Sequence, residues 1–203
     1  MASSVSKEEG AAAERIRNAA LEGFANNGAR ATSIRDVARA AGVSPGLVQH
    51  HFANKGTLQE AVDEHVLETL WQTFGDIPEG GAEFFKEMGD QITGFVDEYP
   101  TMMRYVARAI IEGEEASLRI FDVFVALAES HIERLKKAGI LREDVDPLWT
   151  PLHLVMFNIS CVLFEGALDR RLPAPFHTPE MLNRWNRATT EMFMKGFYRP
   201  DGE

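Results

Sequence analysis

Residues 33 to 55 read SIRDVARAAGVSPGLVQHHFANK, and this stretch decides the fold of the chain. Four apolar side chains in its first part have the i, i+3, i+4, i+7 spacing of a helix with one buried face: Ile34, Val37, Ala38 and Ala41. Gly42 follows them and supplies the backbone freedom that a tight turn needs. The pattern therefore predicts a short helix that ends where the chain reverses.

A second short helix is predicted to begin at residue 45. Ser44 is a favourable N-cap, and Pro45 suits the first helical position, where a missing N–H costs nothing. Val48 and Phe52 lie four residues apart and are expected to face back onto the first helix. Two short helices joined by a tight turn form a helix-turn-helix unit, whose second helix enters the major groove of DNA.

This stretch resembles the TetR family of bacterial transcriptional regulators. The matched positions are the Ala-Thr-Ser-Ile-Arg-Asp-Val-Ala run from Ala31, Ala-Gly-Val-Ser at 41 to 44, Gly46, His51-Phe52 and Lys55. The resemblance covers residues 11 to about 60, and the rest of the chain agrees with the family in length and helical character. It implies a homodimeric repressor that binds double-stranded operator DNA and is released by a small molecule held in its body.

The predicted DNA contacts lie in the helix-turn-helix unit and at the helix starts on either side of it. They are Thr32, Ser33, Arg35, Ser44, Pro45, Gly46, Leu47, Gln49, His50, His51 and Lys55. Arg35 is predicted to contact a base or a phosphate, and His51 is assigned to phosphate. Lys55 follows a predicted cap at Asn54, so it adds a cation to a helix N-terminus whose free N–H groups already favour phosphate.

Gln49 departs from the family pattern, which usually has a Tyr here that touches the DNA backbone. A Gln side chain hydrogen-bonds either a phosphate or, bidentately, an adenine, so both kinds of contact stay open. The same departure leaves a second class of function open, a helical ligand-binding or interaction protein whose head has lost DNA binding.

Charge is divided unevenly along the chain. The formal net charge of −10 argues against a protein that binds nucleic acid over its whole surface. Residues 1 to 60 carry seven basic and six acidic side chains, whereas the remainder carries 14 and 25. Phosphates repel an acidic body, which is therefore expected to orient the weakly basic head toward the duplex.

Helical periodicity continues along the chain, without strand-like alternation or an internal repeat. Further helices are predicted over residues 11–27, 55–74, 82–98, 101–112, 115–138, 148–168 and 181–197. The predicted fold class is all-α. A disordered tail at residues 1–10 precedes a three-helix DNA-binding head at 11–55 and a larger effector-binding and dimerisation body at 56–203.

The helix at residues 148–168 is apolar almost all round, so it must be covered on every side. One of its stripes is predicted to join the last helix in an intermolecular four-helix bundle. The residues assigned to this dimer interface are Leu152, Val155, Ile159, Val162, Gly166, Trp185, Met192 and Phe193.

The opposite face of the same helix mixes polar groups with aromatic side chains, as a ligand pocket does. With other aromatic and Met side chains of the body, the predicted effector site comprises Phe95, Tyr99, Met102, Met103, Phe121, Phe124, His153, Phe157, Ser160 and Phe164. Such a set is more often ordinary core, and the family resemblance is what favours a small, mainly apolar effector.

Metal or nucleophilic chemistry would draw on His131, His153, His177 and Cys161, but none of them lie at i, i+3 or i+4 spacing. No metal site, cofactor or enzymatic activity is therefore predicted. The single cysteine excludes an intrachain disulfide and suits the cytoplasm. Neither a run of about 18 apolar residues nor a signal peptide's apolar core is present, so no membrane association is expected.

Overall fold

The computed structural model describes residues 2–75, 82–113, 115–139 and 141–197. Ten α-helices make up the regular structure of these residues. They are α1 (Ala2–Asn27), α2 (Ile34–Ala41), α3 (Pro45–His51), α4 (Lys55–Phe74), α5 (Ala82–Glu98), α6 (Pro100–Glu112), α7 (Glu115–Lys137), α8 (Trp149–Leu163), α9 (Glu165–Leu168) and α10 (Pro179–Phe197). The predicted all-α class is confirmed.

The first helix begins at Ala2 and not at Ala11, so residues 2–10 are helical where a disordered tail was predicted. The segment holds one Ala, one Lys and two Glu beside three Ser, one Val and one Gly, so its own helix propensity is modest, and it continues a helix that is already nucleated by buried side chains further along. The absence of an apolar periodicity in this segment therefore did not indicate disorder.

The helix predicted to run to Leu168 is interrupted. α8 ends at Leu163, and Phe164 leaves helical geometry with φ −100° and ψ 9° before the short α9 begins. Gly166 lies two residues further on, inside α9, and a glycine within a helix costs about 1 kcal/mol relative to alanine, which weakens the continuation.

The first of two compact units combines Met1–Thr69 with Thr101–Ile120. Its core side chains are at most 2% exposed: Ile16, Ala20, Phe24, Val37, Ala38, Val48, Leu58, Val62, Val66, Tyr105, Val106 and Ile120. Full burial of one such aliphatic or aromatic side chain contributes about 1.5–3 kcal/mol. The grouping differs from the predicted boundary after residue 55, because α4 and α6 share this core with the helix-turn-helix unit.

The second unit combines Leu70–Pro100 with Phe121–Glu203. Its buried side chains include Leu70, Phe95, Leu135, Leu141, Ile159, Phe176, Met181 and Leu182. α5 packs closely on α10, where a Cβ at Gly89 would collide with the amide of Asn186. That amide donates to Asp90 Oδ1 at 3.1 Å, so a polar contact accompanies the close approach.

Candidate DNA interface and body surfaces

The helix-turn-helix unit is built on two local caps. At the start of α2 the Asp36 N–H donates to Ser33 Oγ and the Ser33 N–H to Asp36 Oδ2, both at 3.2 Å. The Ser33 hydroxyl also donates to Asp36 Oδ2 at 2.5 Å, and this bond, together with the one from the Ser33 N–H, holds the pKa of the Asp36 carboxyl below its usual range. At the start of α3 the Leu47 N–H donates to Ser44 Oγ at 3.1 Å. Both helix starts therefore lie where the sequence predicts them.

Gly42 forms the turn between the two helices in the left-handed region, with φ 66° and ψ 35°. Its N–H donates to the carbonyls of Ala38 and Arg39, which ends α2. A side chain in this conformation would be strained, so the glycine is required by the backbone rather than by a neighbour.

α3 presents a polar face opposite a buried one. Val48 is fully buried beneath the helix, whereas Pro45, Gly46, Gln49 and His50 are exposed. Leu47 is half-buried. Arg35, in the first turn of α2, is also exposed, and its guanidinium has no partner among residues 2–75, 82–113, 115–139 and 141–197. These side chains are free to contact another molecule.

Thr32 does not belong to this exposed surface, and its assignment as a DNA contact is wrong. Its side chain is 3% exposed, and its hydroxyl lies 3.0 Å from the carbonyl oxygen of Gly23 and 2.9 Å from that of Gly28. A Cβ at Gly23 would lie 2.9 Å from Thr32 Cγ2, so α1 approaches this residue closely. The buried Thr32 side chain therefore stabilises the connection between α1 and α2.

Lys55 also differs from its prediction. Its Nζ donates to the carbonyl oxygens of Ala29, Arg30 and Thr32 at 2.8, 3.3 and 3.3 Å. An ammonium has three N–H donors, so these three carbonyls use all of them. The structure therefore places the Lys55 ammonium against the chain's own backbone, where a phosphate would have to compete with these carbonyls.

His51 is half-buried, and its Nε2 atom is enclosed without a hydrogen-bond partner in the described part of the chain. Its ring stacks edge-on to His50 at 5.5 Å and lies 6.4 Å from the Phe52 ring. A phosphate contact through this side chain would have to use Nδ1, since Nε2 faces the interior.

Two polar links join α6 to α1 and α4 within the first unit, and sequence reasoning missed both. The Tyr105 hydroxyl donates to Asp63 Oδ1 at 2.5 Å in the core. Arg108 donates to the carbonyl oxygens of Ala25 and Asn26, both at 3.2 Å. No local signal points to these contacts, because the partners of Arg108 lie 83 and 82 positions away along the chain.

The predicted effector residues are divided between the two units. Met102 and Met103 belong to the first unit and are buried, whereas the other eight belong to the second. Within the second unit Phe95 is buried and stacks on Tyr99, with ring centroids 5.0 Å apart. Four of the aromatic residues predicted for the effector site are half-buried in this unit: Tyr99, Phe121, Phe124 and Phe157.

The burial of α8 differs from the prediction at residues of both assigned faces. Val155 and Ile159, assigned to the dimer stripe, are 6% and 5% exposed and lie inside the chain. His153 and Phe164, assigned to the effector pocket, are exposed. The remaining dimer residues divide likewise: Phe193 is buried, Leu152, Val162 and Trp185 are half-buried, and Gly166 and Met192 are exposed.

The exposed face of α8 continues in further apolar side chains. Trp149 is half exposed and stacks on His153 at 5.5 Å, and Met156, Leu163 and Phe164 are 43, 37 and 61% exposed. α10 adds Met192, which is 48% exposed. This set, Trp149, Met156, Leu163, Phe164 and Met192, is here called the α8–α10 apolar face.

No group of three His, Cys, Asp or Glu side chains in the described ranges is arranged to hold a metal ion. Burial raises the pKa of the Cys161 thiol to about 11 and lowers that of His131 to about 4. Both side chains are therefore neutral near pH 7, which is the state expected of core residues.

Comparison with known proteins agrees with this geometry. The family profile described as "Bacterial regulatory proteins, tetR family" matches residues 16–62, and "Tetracyclin repressor-like, C-terminal domain" matches residues 97–199. The chain is 29% identical over 135 residues to the HTH-type transcriptional regulatory protein RaaS of Mycobacterium tuberculosis, over 66% of this chain and 61% of RaaS.

A second relative is the HTH-type transcriptional repressor KstR2 of Rhodococcus jostii. It is 27% identical over 133 residues, a match that covers 61% of this chain and 64% of that protein. The chain thus spans less than two thirds of the length of these two relatives.

A solved structure, the ketosteroid transcriptional regulator KstR2 of Mycobacterium tuberculosis, shares the fold. It superposes with a TM-score of 0.68 at 18% identity, over 93% of this chain and 95% of that one. Among the described helices none is both long and apolar enough to cross a membrane. The two family profiles cover the helix-turn-helix unit and most of the second half of the chain, and the chain therefore belongs to the TetR family of helix-turn-helix transcriptional regulators.

Proposed function

We propose that the protein binds double-stranded operator DNA through α3 and the exposed side chains around it. The observation that carries this proposal is the exposed polar face of α3, on a capped helix whose other side is buried at Val48. The proposed contacts are Ser33, Arg35, Ser44, Pro45, Gly46, Leu47, Gln49, His50 and His51. Arg35 and Gln49 are the side chains with the strongest donors for phosphate or base edges.

A gel shift with the DNA immediately upstream of the protein's own coding sequence tests this interface. Gln49→Ala is expected to change sequence preference if Gln49 reads a base, or to weaken binding evenly across sequences if it binds phosphate, with an unchanged salt slope because Gln carries no charge. Lys195→Gln removes an exposed α10 cation and is the control that should leave binding unchanged. Wild-type protein that binds neither this DNA nor a duplex selected from a random pool contradicts the proposal.

We further infer a repressor, located in the cytoplasm, that a small and mainly apolar effector releases from its operator. The relative from Rhodococcus jostii is named a repressor, and the solved relative is named a ketosteroid regulator. The half-buried aromatic side chains of the second unit offer apolar surface that a ligand can cover. Release requires the effector to favour the conformation that does not bind DNA, typically by about 1–3 kcal/mol.

The effector proposal is tested with an apolar fluorescent probe, N-phenyl-1-naphthylamine, and the variants Phe124→Ala and Leu118→Ala. Phe124 is a half-buried aromatic residue of the second unit, so its loss is expected to weaken probe binding. Leu118 is exposed on α7 within the first unit and serves as the matched control. Equal probe affinity of the two variants and the wild type contradicts this location.

A homodimer formed through the α8–α10 apolar face completes the proposal. Exposed apolar side chains on two neighbouring helices are costly in water, and a second copy of the same face covers them by two-fold symmetry. The neighbouring position of α8 and α10 is given by the edge-to-face contact of Phe157 and Phe193 at 5.5 Å. Two heads would then read half-sites about 34–36 Å apart, or multiples of that spacing.

The alternative is a helical ligand-binding or interaction protein that has lost DNA binding, which Gln49 suggests because it replaces the usual Tyr. The upstream-DNA gel shift separates the two functions, since the alternative predicts probe binding without any operator shift.

A further inference from the structure

Lys55 lies at the first position of α4, at the end of a helix where a cation is unfavourable. Unpaired N–H groups and the helix dipole make this end positive, so a lysine there is unfavourable for the helix. Asn54 and Thr57 already satisfy this end with reciprocal hydrogen bonds of 3.2 and 3.0 Å. The ammonium of Lys55 is therefore not needed to cap its own helix.

Backbone carbonyls 23 to 26 residues earlier in the chain compensate for the unfavourable position of the Lys55 ammonium at the start of α4. The carbonyls of Ala29, Arg30 and Thr32 converge on Lys55 Nζ within 3.3 Å, and they follow the C-terminus of α1, where the helix dipole is negative. A tetrahedral ammonium sends one N–H to each of three converging oxygens, which a planar guanidinium does not match.

The segment held by Lys55 leads directly into the DNA-binding unit. Thr32 is its last residue and is followed by Ser33, the N-cap of α2. Gly28, at its other end, has φ 87° and lies against the side chains of Glu112 and Arg108. The Lys55 side chain thus links α4 to the segment that leads into α2. Since α2 is joined to α3 by the Gly42 turn, the position of this segment affects the position of α3.

A phosphate contact would require the ammonium to leave these carbonyls. Three charge-assisted hydrogen bonds would be exchanged for one phosphate, and the 29–32 segment would lose its contact with α4. The structure assigns Lys55 to positioning the α1–α2 segment for operator binding. This assignment rests on the proposed DNA-binding function, because its effect is read out as operator affinity.

The salt dependence of binding distinguishes a positioning residue from a phosphate contact. Fluorescence anisotropy is measured on a labelled duplex of the upstream DNA, with wild type, Lys55→Met, Lys55→Arg and Arg35→Gln, at temperatures where all are folded. Each lost phosphate contact reduces the slope of log K against log salt by about 0.9. Lys55→Met and Lys55→Arg are both expected to bind roughly tenfold more weakly with the wild-type slope, whereas Arg35→Gln reduces the slope if it meets phosphate.

Two results would overturn the assignment. A Lys55→Met variant whose slope falls by about 0.9, with Lys55→Arg close to wild type, identifies a phosphate contact instead. A folded Lys55→Met variant with wild-type affinity and slope identifies a residue that serves stability alone. Val66→Ala, a core change on the same helix, is the stability control and is expected to keep wild-type affinity while folded.

Hydrogen exchange provides a readout that does not depend on DNA. In Lys55→Met the amides of residues 30–33 are expected to exchange roughly tenfold faster than in wild type, while those of residues 60–66 change little. If the wild type bound no duplex, the proposed function would fail, and unchanged exchange at residues 30–33 would overturn the positioning role by itself.

Discussion

The Tyr105 hydroxyl on α6 donates to the Asp63 carboxylate on α4 over 2.5 Å, and both side chains are at most 2% exposed. The two residues are separated by 42 positions, and Phe24 of α1 lies beside Tyr105 with ring centroids 6.4 Å apart. A carboxylate in a core is costly unless hydrogen bonds satisfy it. Tyr105 therefore helps Asp63 to be buried and links α6 to the helix that follows the helix-turn-helix unit.

Tyr105→Phe is expected to destabilise the protein by about 1–3 kcal/mol, because it removes a hydrogen bond to a buried carboxylate while keeping the ring. Urea unfolding measures the loss. Tyr99→Phe, on a half-buried tyrosine of the second unit, is the matched control and is expected to stay within about 0.5 kcal/mol of wild type. A loss equal to that of the control would mean that the Asp63 bond contributes nothing net.

Gly28→Ala is expected to be destabilising chiefly through its backbone conformation, with a smaller steric cost against the movable end of the Glu112 side chain. The position has φ 87°, which costs a side chain about 1–2 kcal/mol, and an added Cβ would lie 2.5 Å from Glu112 Oε1. Thermal unfolding of Gly28→Ala, Glu112→Ala and the double variant separates these costs. Removal of Glu112 should recover the steric part only, so complete recovery in the double variant would contradict the backbone strain.

Acid is expected to destabilise the protein through His131. This side chain is 6% exposed, its Nδ1 lies 2.6 Å from the Leu127 carbonyl oxygen, and burial lowers its pKa from 6.5 to about 4. The unfolded chain binds the proton more tightly. The contribution of the neutral imidazole is therefore complete above pH 6.5 and is lost as pH falls from 6.5 toward about 4, by up to about 3 kcal/mol.

The measurement is the free energy of unfolding across this pH range for wild type and His131→Leu. The variant is expected to lose less stability than wild type between pH 6.5 and 4, whatever its stability at neutral pH. Parallel curves for the two proteins would show that His131 is not the group responsible.

Phe164→Glu and Ile159→Ala are expected to separate the two faces of α8. Phe164 is 61% exposed, so a charge there should shift a dimer to monomer in sedimentation velocity with little change in the fold. Ile159 is 5% exposed, so its truncation should cost about 2–5 kcal/mol of stability and leave the oligomeric state unchanged. If Ile159→Ala gave a monomer and Phe164→Glu left the dimer intact, the dimer interface would instead lie on the Ile159 face, as the sequence predicts.

Local signals in the sequence were enough to determine most helices and the helix-turn-helix unit. Ser33 and Ser44 cap helices through bonds to residues three positions later, and Gly42 turns the chain through its own backbone. The exposed face of α3 also follows from spacing, because Val48 and Phe52, four residues apart, were expected to face the first helix; Val48 is fully buried and Phe52 is half-buried. These interactions join residues that lie close together in the sequence. Most of the candidate DNA interface could therefore be predicted from the sequence.

Only the tertiary structure decided three features: the partner of Lys55, the face of α8 that is buried, and the packing of α6 against α1 and α4. Lys55 has a phosphate and three distant carbonyls as competing acceptors, and the residue type is the same in either case. α8 is apolar on both faces, so its periodicity carries no preference for one of them. These outcomes depend on which atoms meet across 23 to 83 positions of chain, and packing in three dimensions brings them together.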